Sequence, residues 1–564
     1  MHASAARATV APVTDERVPT EIDRIAEDWV DASVALHPEL AVVLGRPGQE
    51  GRYGDYSPDG LAADDAAERS VLRRLAAATP ADEVDRVTKA DLTRELELSI
   101  ESRDAGLPLR DVNTIESPVQ AVRDVFDLEP TATAEDWAAI ERRLRGVAPA
   151  LDGYLERLRA GVREGVVPAV RQVGLAAAQA AEFAAADGFF AGLAARAGAH
   201  DAVPASLTAA IESAAIAAAA AYGGLGTALE QEIAPAATPE DAIGRELYAL
   251  QSRRFLGAAI DLDETYEWGL AELARMAEEQ EEVASRIVPG GSVEDAIAAL
   301  DADPAQRLDG TAALQAWMQR LSDAAIESLG ATHFAIEGPV RTLECRIAPT
   351  RSGVIYYTPP SDDFSRPGAM WWSVPAGVER FTTWRETSTV YHEGVPGHHL
   401  QIATAMTNRS LNTWRRTAGT SGYWEGWALY AERLMAELGH LDADPDRLGM
   451  LDGQRMRAAR VVVDIGLHLG KRDPAGDVWT RGAALDLLRR HVHMDDAFLR
   501  FEVDRYCGWP GQAPSYKVGQ RLWEELRAES AGRAGAAFDV RAWHRRVLLM
   551  GGMGMDTLRT AVLG

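Results

Sequence analysis

Apolar residues recur at helical spacing along most of the chain. Ile22, Ile25, Ala26, Trp29, Val30 and Ala32 share one face of a segment within Asp15 to Leu44, the rhythm of an amphipathic helix. Between Glu135 and Arg163, Trp137, Ile140, Leu144, Leu151, Tyr154 and Leu158 repeat the pattern with charges between them. Ala-rich segments at 174–198 and 205–231 predict closely packed helices, because Ala combines the best helix propensity with little bulk. Ser213 to Leu229 carries no charge, yet it is shorter than the roughly 20 apolar residues a membrane span needs. It is predicted to be a buried or tightly packed helix. Thr238-Pro239-Glu240-Asp241 predicts a helix start, with a Thr cap, Pro at the first helical position and acids in the first turn. Another long helix is expected from Asp263 to Ile287, with Leu270, Leu273, Met276 and Ala277 inward.

The texture changes over 338–375. Gly338-Pro339-Val340, Ile355-Tyr356-Tyr357 and Arg366-Pro367-Gly368 are short apolar runs bounded by Gly and Pro, which predict a few strands. Helical patterning returns near Trp384, and a Gly/Pro-rich loop at 508–516 precedes a last helical region. The expected fold is mainly α, with a small β insert ahead of the most unusual motif. The expected organisation is a loose tail (1–18), an N-terminal helical region (19–237) and a second helical region (238–564) joined to it in one compact unit.

Composition narrows the classes. The chain has 564 residues, 58 Lys+Arg and 85 Asp+Glu, for a net charge of −27. That balance argues against nucleic acid and anionic membrane as partners, since both need clustered cations. With 47% hydrophobic residues the chain is globular, not a disordered polyanion. Cys345 and Cys507 cannot form a disulfide framework and are expected to be packed thiols. The N-terminal Ala/Val run stops at Pro12, too short for a signal-peptide core, so a cytoplasmic location is expected.

The motif is Tyr391-His392-Glu393-Gly394-Val395-Pro396-Gly397-His398-His399-Leu400-Gln401. Three His fall within eight residues beside a Glu. Zinc hydrolases often place two His four apart on one helix, with the adjacent Glu polarising water. Here position 396, where the second His would stand, is Pro. On an ideal helix His392 and His398 would lie roughly 120° apart, while His392 and His399 would share a face but stand about 10.5 Å apart along the axis. Pro396 removes a backbone donor and clashes with the carbonyl of residue 392. Pro-Gly is therefore expected to bulge the helix by about two residues and bring His398 to the position of an i+4 ligand. A third ligand is sought on Tyr423-Trp424-Glu425-Gly426-Trp427-Ala428-Leu429-Tyr430-Ala431-Glu432-Arg433-Leu434, where Glu425 and Glu432 share one face of an apolar helix.

These two segments resemble the bacterial family known as domain of unknown function 885. That family is similar to helical zinc peptidases of the thimet-oligopeptidase and carboxypeptidase Taq type, and so to a gluzincin-like architecture. In those peptidases H-E-x-G-H is followed some thirty residues on by a ligand Glu, with another Glu seven residues later. Glu425 stands 33 residues beyond His392, and Glu432 seven beyond Glu425. The resemblance implies His392, His398 and Glu425 as Zn2+ ligands and Glu393 as general base. His399 and Glu432 are the alternative ligands, and the two-residue expansion is the departure from the pattern.

Downstream, Asp464 and His468 stand at i, i+4, and either contact substrate or form a buried pair. Tyr516 is the candidate oxyanion donor, and Arg505 a candidate clamp for a substrate carboxylate. No GxSxG elbow, P-loop or GxGxxG strand–helix junction occurs. The expected function is a zinc metallopeptidase acting on small peptides or amides, with a homodimer as the one assembly considered. The alternatives are a non-peptidase zinc amidase or esterase, and a helical binding or scaffold protein with a degenerate site.

Overall fold

The computed structural model describes residues 17–348, 355–375 and 377–564. It is mainly helical, as the periodicity predicts. The first segment forms the helix Glu21–Leu36, closed by a Thr20–Asp23 capping box, with Ile22, Ile25, Ala26 and Val30 buried. The second forms Ala134–Glu164, capped by Thr133 and Asp136, and all six predicted apolar residues are buried on it. The predicted 263–287 helix is Leu262–Ile287, started by Asp261 and burying Leu273 and Met276.

One local expectation fails. The helix predicted at Thr238 begins only at Arg245. Thr238 instead pairs with the strand-like segment at Ala169: its N–H donates to Pro168 O and its carbonyl accepts from Val170 N. Tertiary pairing thus uses the groups that a capped helix start would have used. The Ala-rich helix Ala205–Ala228 is tightly packed, as expected, against Ala134–Glu164 and Val170–Ala184, with its other face in solvent. Ile211, Ala215, Ala218, Tyr222 and Leu225 face neighbouring helices, while Ile216 is exposed. With its π-helical extension, Ala205–Ala236 is the one helix among the described residues long and apolar enough to cross a membrane. Arg17, within the stretch read as a loose tail, is held by Asp23, Asp82 and Asp85, each at 2.5 Å. Residues 1–16, including the N-terminal run read as lacking a signal core, lie outside the described residues.

Five short strands are described: β1 (Arg307–Asp309), β2 (Leu343–Ile347), β3 (Ile355–Thr358), β4 (Gly368–Trp372) and β5 (Arg380–Thr382). β2, β4 and β3 form a sheet in that order, with β2 parallel to β4 (Cys345 opposite Met370) and β3 antiparallel to β4. This is the insert predicted over 338–375. β1 and β5, an antiparallel pair, were not predicted, and each has only three residues. β5 runs directly into the helix Thr383–Glu393, so the pair fixes where the motif helix starts.

Two large apolar cores divide the chain. One gathers residues between Val112 and Ile233, centred on the helix Ala134–Glu164 and the Ala-rich helices. The other draws almost entirely on residues from Tyr248 to Val562 and surrounds the motif helices. Both cysteines are free and buried, and burial pushes the Cys345 thiol up to about 11.

Candidate metal centre

His392 and Glu393 occupy the last turn of Thr383–Glu393. The chain does not bulge there, as expected, but breaks: Gly394–Gly397 form a turn containing a cis Val395–Pro396 peptide, and a second helix starts at His398 (His398–Thr407). The break removes the clash that Pro396 would make inside a helix. Its backbone groups are re-paired, with Gly397 N–H donating to Tyr391 O at 3.0 Å and Trp427 Nε1 donating to Pro396 O at 2.8 Å. Gly397 is required by space: a Cβ there would lie 1.8 Å from His392 O. The break brings the His392 and His398 rings to 4.9 Å between centroids, at right angles.

The third group comes from the helix Ser421–Glu437, whose first turn is capped by Thr420. Glu425 Oε2 lies 3.2 Å from His392 Nε2 and 3.5 Å from His398 Nε2. One donor atom from each of the three residues falls within 4.8 Å of the others, the spacing a single metal ion needs. Glu432, one of the alternative ligands, sits behind His392: its Oε1 accepts from Nδ1 at 2.8 Å and orients Nε2 forward. Gln454 donates to Glu432 Oε2 at 2.9 Å, and Lys517 donates to Gln454 Oε1 at 2.7 Å. A buried chain of four side chains thus ends on the imidazole.

The donor set fits a dication. Glu393, Glu425 and Glu432 crowd two imidazoles in a buried site, and acids so placed require a compensating cation. Burial alone would lower the His392 pKa, but its bonds to Glu425 and Glu432 outweigh that and raise it to about 10. Burial alone would raise Glu425, yet the two imidazoles hold it well below the usual carboxylate range. Glu393 goes the other way. Burial raises it, and the nearby imidazoles offset only part of that rise. The two carboxyls thus have opposed acidities, one kept anionic and one made more basic.

Tyr516 stands at the start of Ser515–Ala534, with the Arg460 guanidinium 5.1 Å from its ring centroid. Burial, then the Glu425 charge, raises its pKa and keeps it a proton donor. Its position depends on a close helix contact: a Cβ on Gly426 would meet Gly519 backbone at 2.4 Å. Only glycines let these two helices approach so far.

Other predicted residues stand elsewhere. Both His399 nitrogens are engaged, Nε2 with Val340 O at 2.9 Å and Nδ1 with Tyr357 Oη at 3.0 Å. Burial lowers its pKa to about 4, so it is a neutral prop between the β sheet and the second motif helix. His468 bonds Tyr506 O at 2.8 Å and stacks on Tyr248. Asp464 accepts from Tyr248 Oη and Gly511 N, so the two do not form the buried pair considered from sequence. Arg505 bonds Glu502 and Gln512, and its charge also acts on Tyr516.

Sequence reasoning missed Gln454, Lys517 and Arg457. The first and last lie on Asp444–His468, three residues apart and followed by Arg460. That row faces Glu432 at one end and Tyr516 at the other. Arg457 acts electrostatically on Glu393, Glu432 and Tyr516. A polar residue every third position in an otherwise buried helix was the available signal.

Fold and site together define a mainly helical protein with a His-His-Glu cluster carried on three helices. The family described as "Bacterial protein of unknown function (DUF885)" matches residues 38–562, and the chain belongs to it. No curated protein matches the chain. Among solved structures, a putative lipoprotein from Colwellia psychrerythraea is similar, with a TM-score of 0.84 and 24% identity. That match covers 96% of this chain and 98% of the other. A putative lipoprotein of unknown function from Shewanella oneidensis is similar with a TM-score of 0.73 and 16% identity, over 97% of this chain and 100% of the other. Both likenesses are likenesses of fold.

Proposed function

We propose that the protein is a zinc-dependent hydrolase, a gluzincin-like metallopeptidase that cleaves small peptides or amides. The observation that carries this reading is the convergence of His392, His398 and Glu425 with Glu393 buried beside them. His392, His398 and Glu425 would hold the ion, and His2Glu ligation suits zinc. When bound, zinc supplies Lewis acidity and makes water acidic near neutral pH. Glu393, with its raised pKa, takes a proton from the attacking water and returns it to the leaving amine. Tyr516 remains protonated and donates to the oxyanion. Glu432 holds the His392 ring in place. Pro396, the feature that favoured a degenerate scaffold, counts for the metal reading, because the break it causes is what brings His398 to His392.

Zinc content and peptide turnover of the purified chain test this. The expected result is about one zinc per chain after zinc-replete growth, with His392 in the coordination sphere by X-ray absorption. Glu393→Gln keeps the zinc and loses about 10²–10⁴-fold in kcat on the best substrate from a peptide library. Less than about 0.2 zinc per chain overturns the metal reading, given the one-ion site. Unchanged turnover by Glu393→Gln overturns the mechanism, and turnover of non-peptide amides alone moves the assignment to an amidase. A cytoplasmic setting is proposed from the acidic, globular sequence. The similar proteins described as putative lipoproteins favour an exported one, and fractionation of the native host decides between the two.

A further inference from the structure

A cavity of about 910 Å³ does not include the three candidate ligands. It lies between the N-terminal helices and the catalytic helices, and its volume suits a ligand of peptide size. Trp424 and Trp509 form part of its wall, and Trp424 stands one residue before Glu425.

Three arginines line this cavity without a carboxylate partner. Arg110, Arg157 and Arg254 make no ion pair within 4.0 Å among the described residues, whereas the buried Arg143, Arg460 and Arg505 do. Arg157 is 9% exposed, its Nε has no hydrogen-bond partner, and its only ring contact is Tyr56 at 5.9 Å. Arg110 Nε is likewise buried without a partner. Arg254 reaches only the Gln251 side chain, at 2.8 Å. Asp111 is the acid both Arg157 and Arg254 act on. It is fixed by its own backbone, since Tyr154 Oη donates to Asp111 O at 2.7 Å, one helical turn before Arg157. Of the other cavity acids, Asp64 bonds His37 at 3.0 Å while also acting electrostatically on Arg157, and Glu116 is exposed.

A buried guanidinium such as Arg157, left without a carboxylate, is costly unless something supplies one, and the exposed Arg254 lines the same cavity. Burial lowers the pKa of Arg110, Arg157 and Arg254 and raises that of Asp111 to about 6, as expected of charges held apart. We propose that this cavity binds a small carboxylate-bearing ligand, its carboxylate between Arg157 and Arg254 and its flat apolar body against Trp424 and Trp509. Planar guanidiniums suit a planar carboxylate, and indole faces suit a flat apolar group. The site does not depend on the metal reading.

The test is calorimetric titration of the full chain, freed of zinc by a chelator, with benzoylglycine and N-acetylphenylalanine, each against its uncharged carboxamide. At least one acid should bind saturably, and its amide about tenfold or more weaker, as expected if charge-assisted bonds to Arg are lost. Arg157→Gln and Arg254→Gln should each weaken the acid by a similar factor with circular dichroism unchanged. Should Arg157→Gln fail to fold, the exposed Arg254 carries the same reading. Asp111→Asn has the opposite sign: at neutral pH it should tighten the acid several-fold by removing a like charge. Equal binding of acid and amide overturns the proposal. So does absence of binding by both acids up to about 10 mM, weaker than the millimolar affinity that about −4 kcal/mol represents. Binding that requires zinc and ignores Arg157 would place the carboxylate on the metal and overturn it too. Because the readout is taken without zinc, its failure is distinct from failure of the hydrolase reading.

Discussion

Two interiors of this molecule gather charge away from water, and they handle it in opposite ways. In the candidate metal centre almost every charge is answered: His392 by Glu425 and Glu432, Glu432 also by Gln454, and Gln454 by Lys517. In the cavity, Arg157 and Arg254 act on Asp111 without an ion pair, and Arg110 has no ion-pair partner among the described residues. A satisfied buried network holds its members rigidly and can aim a ligand atom. An unsatisfied one carries a standing cost, which a guest of the right charge relieves. The first arrangement suits a resident ion and the second a transient ligand.

The contrast between aimed and merely packed groups breaks most sharply at the adjacent histidines. His398→Ala should reduce zinc to background on metal analysis, since one of three ligands is lost. His399→Ala should keep the zinc but destabilise the fold by about 1–3 kcal/mol in urea unfolding, because Val340 O and Tyr357 Oη lose their partner. Greater zinc loss at His399 would reverse the ligand assignment. The cavity side is tested by pH. Burial raises the Asp111 pKa from 3.8 to about 6 in the folded chain, so ionising it opposes folding. Its penalty is absent below the unfolded value, grows as pH rises from about 4 to about 6, and reaches on the order of 3 kcal/mol. Asp111→Asn should therefore gain stability relative to the native chain across that window in urea unfolding. An unchanged difference between about pH 4 and about pH 7 would contradict the buried assignment. Glu432→Gln, which weakens the support behind His392, should reduce zinc affinity about 10- to 100-fold in competition with a chelating dye. The smallest effect is expected at the helix contact. Gly426→Ala should cost about 1–3 kcal/mol of stability and lower kcat and zinc content together, because Gly426 adjoins the candidate ligand Glu425 and its helix packs on the one that carries Tyr516.

The helical fold was legible wherever one face of a segment is apolar, as in Ala134–Glu164, where every predicted inward residue is buried. It was not legible where a distant backbone competes for the same groups, as at Thr238. Nor could three-residue strands such as β1 and β5 be read, since they are too short to show an alternation. At the site, residue types and spacing pointed to His392, Glu393 and His398, and the family resemblance chose Glu425 over Glu432; the structure brings these four together. The roles of Glu432 and His399 needed coordinates, because a ligand and the group behind it use the same side chains. Lys517 lies 125 residues beyond His392 and reaches it only through Gln454 and Glu432, a link no local pattern carries.

The break at Gly394–Gly397 bears on how the site tolerates insertion and deletion. In an unbroken helix, one inserted residue would turn everything after it by about 100° and carry the second imidazole off the ion. Here each imidazole belongs to its own helix, and each helix is anchored separately, one following β5 and the other held by Gln401 donating to Tyr423 O. The turn can therefore change length without rotating either ligand. Relatives whose two histidines are spaced differently can keep the same cluster, and a fixed-spacing pattern would pass them over.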